Sequence, residues 1–126
     1  MKKIYVSHSS KYDYENMLYA PIKESKFAKD YEIILPHKGQ VTSSRERILE
    51  SDLIIAEVSF SSTAQGIELG WADLACKTVL YIYSKGTKIS SGLQFLDGHF
   101  IEYENVSDMI EKIDAFLEKS FSGAHP

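Results

Sequence analysis

The sequence has one cysteine, Cys76, so no disulfide can close within the chain and no second thiol stands at metal-ligand spacing. Such a chain suits a reducing compartment, and a cytoplasmic location is the expectation. A basic surplus is missing too: 14 Lys and Arg against 18 Asp and Glu leave a formal charge of −4. With no basic stripe to neutralise phosphates, a nucleic-acid polymer is not an expected partner, although one nucleotide needs only a local cradle. Long apolar runs are also absent. After Met1, Lys2 and Lys3, the run from Ile4 is too short for a secretory leader, and no stretch approaches the length of a membrane span, so no membrane partner is expected. The signatures of zinc peptidases, P-loop NTPases and dinucleotide-dependent dehydrogenases do not occur, and neither a metal nor a cofactor is expected. Internal repeats and low-complexity linkers are likewise lacking.

What remains is the balance of an ordinary folded domain: 126 residues, 44% hydrophobic and 25% charged. That length supports one core without cross-links. A single domain is expected over 1–120, with 121–126 as a disordered tail. Ile4–Ser7 reads as a strand ending in a polar loop, Tyr12–Lys29 as helical with Pro21 starting a second helix or kinking one, and Tyr31–Leu35 as a strand. Ser43–Ser51 is predicted helical, with Ser43 and Glu46 at capping-box spacing. Asp52–Val58 is a nearly continuous apolar run, the pattern of a central parallel strand covered on both faces. A serine-rich loop and a helix over Ala64–Lys77 follow, then a strand over Thr78–Tyr83. Lys85–Gly98 is a long loop or holds a short helix, before a last strand at His99–Tyr103 and a closing helix over Val106–Lys119.

Strands alternating with helices imply an α/β fold, and right-handed crossovers leave few topologies. The expectation is a three-layer, flavodoxin-like (Rossmann-like) five-stranded parallel sheet with helices on both faces. Ligands on such sheets bind beyond the carboxyl ends of the strands. This points to Ser7–Lys11, to His37–Gly39, and to Ser59–Glu68. In the third segment Glu68 stands near a helix start between Gly66 and Gly70. Glycine costs a helix about 1 kcal/mol relative to alanine, so two of them four apart need a reason. Either they let the helix approach the sheet, or they leave room for a ligand at the backbone. Ser59, Ser61, Ser62 and Thr63 precede the helix, where hydroxyls and free N–H groups can cap it, cradle an anion, or do both. A carboxylate beside such a cradle suits stabilisation or capture of a sugar carbon that becomes cationic.

The run Ser51-Asp52-Leu53-Ile54-Ile55-Ala56-Glu57-Val58-Ser59, then Ser62, then Gly66-Ile67-Glu68-Leu69-Gly70-Trp71-Ala72 resembles the nucleoside 2-deoxyribosyltransferase family. Within that family it is most similar to the 2'-deoxynucleoside 5'-phosphate N-hydrolases. The resemblance implies N-glycosidic bond cleavage or transfer on a (deoxy)nucleoside or its 5'-monophosphate. It makes Glu68 the nucleophile, Tyr5 the residue that places it, and Ser62 a phosphate ligand. By position it implies a ligand contact from His37, while the strand-end rule and the hydroxyl cradle add Ser7, His8, Ser59 and Gly66 as candidate substrate contacts. It also implies a phosphate contact from Ser90 of a neighbouring subunit, and hence a homodimer.

Two departures stand out. Ser44 occupies the place of the family's aspartate, which assists protonation of the leaving base, and Ala64 replaces the first glycine of its Gly-x-Gly-x-Glu pattern. Glu46 is about 200° away around a helix from position 44, and Asp13 or Glu15 could bring a carboxylate from the first loop. Loss of the acid leaves a different reading open, a nucleotide-binding or signalling module without turnover. The opening Ile4-Tyr5-Val6-Ser7-His8-Ser9-Ser10-Lys11 also resembles Toll/interleukin-receptor-type domains, some of which cleave NAD with a glutamate.

Overall fold

The computed structural model describes residues 1–36 and 44–122. Five parallel strands form one sheet: β1 (Lys3–His8), β2 (Glu32–Ile34), β3 (Leu53–Glu57), β4 (Thr78–Ser84) and β5 (His99–Tyr103), in the order β2-β1-β3-β4-β5. This is the flavodoxin-like order expected from the alternation of elements. All five residues of β3 are buried, as a strand with neighbours on both edges and helices on both faces requires. Asp52 pins its start: the Lys3 N–H donates to Asp52 Oδ2 at 2.8 Å and the Asp52 N–H to the Lys3 carbonyl at 2.8 Å.

Alternate residues of the strands feed two cores. On one face Ile4, Val6, Ile55 and Leu80 pack with Ile22 of α1 (Ala20–Glu24) and with Met109, Ile113 and Leu117 of α4 (Val106–Leu117). On the other, Tyr5, Ile54, Ala56 and Tyr81 pack with Ile48 of α2 (Ser44–Glu50) and with Leu69 and Ala72 of α3 (Thr63–Leu74). Among the described residues no helix is long and apolar enough to cross a membrane.

Three expectations gain detail: Pro21 starts a second helix and Lys85–Gly98 holds a short one, each among the alternatives expected. The helix predicted over Tyr12–Lys29 is a π-turn (Glu15–Tyr19), α1 and a 3-10 turn (Lys26–Lys29). Pro21 has no N–H for an i−4 bond, and the wider turn before it accommodates that loss. Ser25 then adopts an extended conformation and ends α1. Between β4 and β5 there is only a 3-10 turn, Ser91–Phe95. Chain order also continues past residue 120, through a π-turn over Glu118–Ser122 in which the Phe121 ring lies 5.8 Å from that of Tyr31. The rest of the predicted tail, 123–126, lies outside the described residues, as does Ser43 of the proposed capping box.

The glycines divide sharply. A Cβ at Gly66 or Gly70 would meet nothing within 4 Å, so neither is there to let α3 approach the sheet. A Cβ at Gly98 would lie 2.4 Å from Tyr81 Cε2 and 2.9 Å from the Val79 carbonyl oxygen, and the Tyr81 ring is buried and stacked on Phe100. Gly98→Ala should therefore destabilise the fold by about 1–3 kcal/mol. Gly70→Ala should stabilise it by about 0.5–1 kcal/mol. Urea unfolding of the two variants checks the opposite signs.

Candidate active site

Side chains alternate along a strand, so Tyr5 and Ser7 of β1 point to the same face, that of α2 and α3. Both meet Glu68, which α3 presents from its second turn. The Tyr5 hydroxyl donates to Glu68 Oε2 at 2.9 Å and the Ser7 hydroxyl to Glu68 Oε1 at 2.8 Å. Each carboxylate oxygen thus has one donor and keeps lone pairs for a reacting atom. Burial, and next the adjacent Glu68, push the Tyr5 phenol well above its ordinary value. It therefore stays protonated and acts as a donor. Ser7, an expected substrate contact, holds the carboxylate.

Glu68 opens into a cavity of about 160 Å³ whose walls include Tyr5, His8, Ser44, Ser62 and Gln65. A second cavity, of about 310 Å³, lies at the amino end of α3. It is lined by Lys11, Ser61, Ser62, Thr63, Gly66 and Ser90, among others. Ser62 and Gln65 border both. Ser62 is also the N-cap of α3, its Oγ accepting from the Gln65 N–H at 3.3 Å. Free N–H groups of the first turn, hydroxyls and the Lys11 ammonium make the second cavity suited to an anion. Ser90 reaches it within the same chain.

Other expected contact residues already have partners within the chain. The His8 ring is tied at both nitrogens, with Nδ1 2.8 Å from the Ser9 carbonyl oxygen and Nε2 2.5 Å from the Tyr19 hydroxyl. Beside a carbonyl oxygen Nδ1 must carry a proton, so in the neutral ring Nε2 accepts from Tyr19. Tyr14 stacks on the ring at 4.3 Å, and His8 forms a fixed wall. Ser59 borders neither cavity. Its hydroxyl donates to Glu57 Oε2 at 2.8 Å and accepts from the Ser84 N–H at 2.8 Å. Asp13 is engaged with Asn16, and neither it nor Glu15 lines the Glu68 cavity. His37 lies outside the described residues. Among the described residues no cluster of three His, Cys, Asp or Glu side chains could hold a metal ion.

Glu57 is the charged group that the apolar reading of β3 passed over. It is 1% exposed and points to the opposite face, where Tyr103 donates to Oε2 and the Ser59 N–H donates to Oε1 at 2.7 Å. Burial raises its carboxyl above the ordinary 4.5, and the donors from Tyr103 and Ser59 offset part of this.

No protein-family profile matches the chain, and no curated protein does. Its fold does match solved structures. A CMP N-glycosidase from Clostridium botulinum, BcmB, superposes with a TM-score of 0.71 at 20% identity, covering 91% of this chain and 99% of that one. A conserved protein from Enterococcus faecalis V583 gives 0.63 at 19% identity, covering 92% and 99%. Translation elongation factor SelB from Methanococcus maripaludis gives 0.62 at 12% identity, with 98% of this chain on 35% of that chain. These likenesses establish the α/β fold.

A raised carboxyl pKa means that the folded chain binds its proton more tightly than the unfolded chain. The resulting penalty is absent below the unfolded value and grows as pH rises through the folded one. Stability should therefore fall over the window that starts near 4.5 and runs upward. In Glu57→Gln that slope should flatten, which melting temperatures measured across pH will test; identical slopes would exclude Glu57 as the source.

Proposed function

We propose that the chain cleaves the N-glycosidic bond of a nucleotide, with Glu68 as the nucleophile. The single observation that carries this reading is the double hydroxyl clamp on Glu68 in a cavity that shares Ser62 and Gln65 with a second cavity at the amino end of α3. The likeness in fold to a CMP N-glycosidase over nearly the full length of both chains supports it.

In this scheme the 5'-phosphate lies at the amino end of α3, with Ser62, Ser90 and Lys11 around it. The sugar then extends toward Glu68. One Glu68 oxygen attacks C1', the C1'–N bond breaks, and its electron pair leaves with the base, which takes a proton from solvent or from the cavity. Water then attacks C1' of the glycosyl ester, giving the sugar phosphate and freeing the carboxylate. Tyr5 and Ser7 hold the carboxylate in one orientation, so less ordering is left for the transition state. Ser90 reaches this cavity within one chain, so the homodimer implied by the resemblance is a separate proposal, read by sedimentation equilibrium.

One observation favours a second reading, a binding module without turnover. Besides Glu68, no carboxylate lines the 160 Å³ cavity among the described residues, and Ser44 stands in its wall. An acid contributes roughly 10²–10⁴-fold to such a step, so turnover should be slow.

The test is base release, followed chromatographically, from nucleosides, ribo- and deoxyribonucleoside 5'-monophosphates and NAD. Release from monophosphates should vanish in Glu68→Ala, and persistence there would sink the nucleophile assignment. Tyr5→Phe and Ser7→Ala, each removing one hydrogen bond to a charged group, should lower kcat by about 10–100-fold. Binding without release would favour the module, and release from NAD alone would favour a Toll/interleukin-receptor-like glycohydrolase.

A further inference from the structure

Ser62-Thr63-Ala64-Gln65 has the spacing of a capping box, in which the glutamine side chain returns to the N-cap N–H. Only half of the box forms. The Gln65 N–H donates to Ser62 Oγ, but the Gln65 side chain turns away and Nε2 donates to the Glu57 carbonyl at 2.8 Å, where β3 ends. A carbonyl can only accept, so this bond fixes which end of the amide is which.

Oε1 is the end left over. No donor of the described residues reaches it, although Gln65 is only 4% exposed. Nor is Oε1 sealed, since among the described residues the buried side-chain polar atoms lacking a partner are the hydroxyls of Tyr12 and Tyr81. An amide oxygen on a nearly buried side chain that borders both cavities is an acceptor awaiting a donor.

Gln65 is three residues before Glu68 and so shares its helix face. If C1' meets Glu68 and the 5' end lies at Ser62, as in the function proposed above, the furanose lies across Gln65. The ring oxygen cannot donate; the secondary hydroxyls can. The hydroxyl nearest the attacked carbon is the 2'-OH, and hydrogen bonds to it strengthen as a glycosidic bond breaks. We propose that Gln65 Oε1 accepts from the 2'-hydroxyl of the substrate, which makes Gln65 a specificity residue for ribonucleotides over 2'-deoxyribonucleotides. A deoxy sugar would not supply that donor. The expected preference is thus opposite to that implied by the deoxyribosyltransferase resemblance.

The test separates binding from turnover. Calorimetry on Glu68→Gln protein, which binds without cleaving, gives Kd for ribonucleoside 5'-monophosphates and for their 2'-deoxy and 3'-deoxy analogues. The ribo form should bind about tenfold or more tightly than the 2'-deoxy form, while loss of the 3'-hydroxyl should matter less. Adding Gln65→Met, which keeps side-chain length without an acceptor, should erase that ratio and leave 2'-deoxy binding within about threefold. An unchanged ratio in Gln65→Met, an equal loss for both sugars, or a dominant 3'-deoxy penalty overturns the proposal. If the ratio behaves as expected but wild-type protein releases no base, the sugar assignment stands and the glycosidase reading falls. If no nucleotide binds, both fall.

Discussion

The burial of β3 on both faces is the constraint from which the rest of the molecule follows. A parallel strand with no polar edge must have a strand on either side and helices above and below. Here β1 and β4 flank it, with α2 and α3 covering one face and α1 and α4 the other. Because every crossover is parallel, the chain leaves each strand at the same end of the sheet. The loops after β1 and β3 therefore meet where the strand order reverses, and Glu68 reaches the side chains of Tyr5 and Ser7 from more than sixty residues away.

The same strand separates two carboxylates by face, and their surroundings give them different work. Glu57 sits under the loop after β3, saturated by donors from Tyr103 and Ser59, and anchors that loop to β4 through Ser84. Glu68 is half-buried, receives two hydroxyl donors, and faces open space. The first arrangement holds a loop in place; the second holds a carboxylate at a cavity. Gln65 joins them, tied to the Glu57 backbone at one end and open to the cavities at the other.

Much of this was legible in the sequence where one pattern decides one outcome. The apolar run of β3 and the strand–helix alternation led to the sheet order, and a glutamate near the start of the helix after the central strand led to Glu68. Residues whose role depends on a distant partner were not legible. Four hydroxyl residues lie between Ser59 and Thr63 and look interchangeable, but only the β3–β4 register sets the Ser84 N–H against Ser59 and removes it from the site. The Ser7 bond to Glu68 was not legible either, because nothing local shows that Glu68 lies above it. Glu57 was hidden by its apolar neighbours, although a charge inside a central strand is itself a signal of a buried polar network. In the first helical stretch the break at Pro21 was legible, and the stop at the extended Ser25 was not.

The central claim is that Glu68 forms a bond to the sugar, and stereochemistry reads that directly. Two successive displacements at C1' retain configuration, whereas direct attack by solvent inverts it. The measurement is nucleotide cleavage in the presence of methanol, with the anomer of the configurationally stable methyl glycoside 5-phosphate assigned by proton NMR. The account predicts the β anomer, with retention from the β-nucleotide. Formation of the α anomer would contradict a covalent role for Glu68.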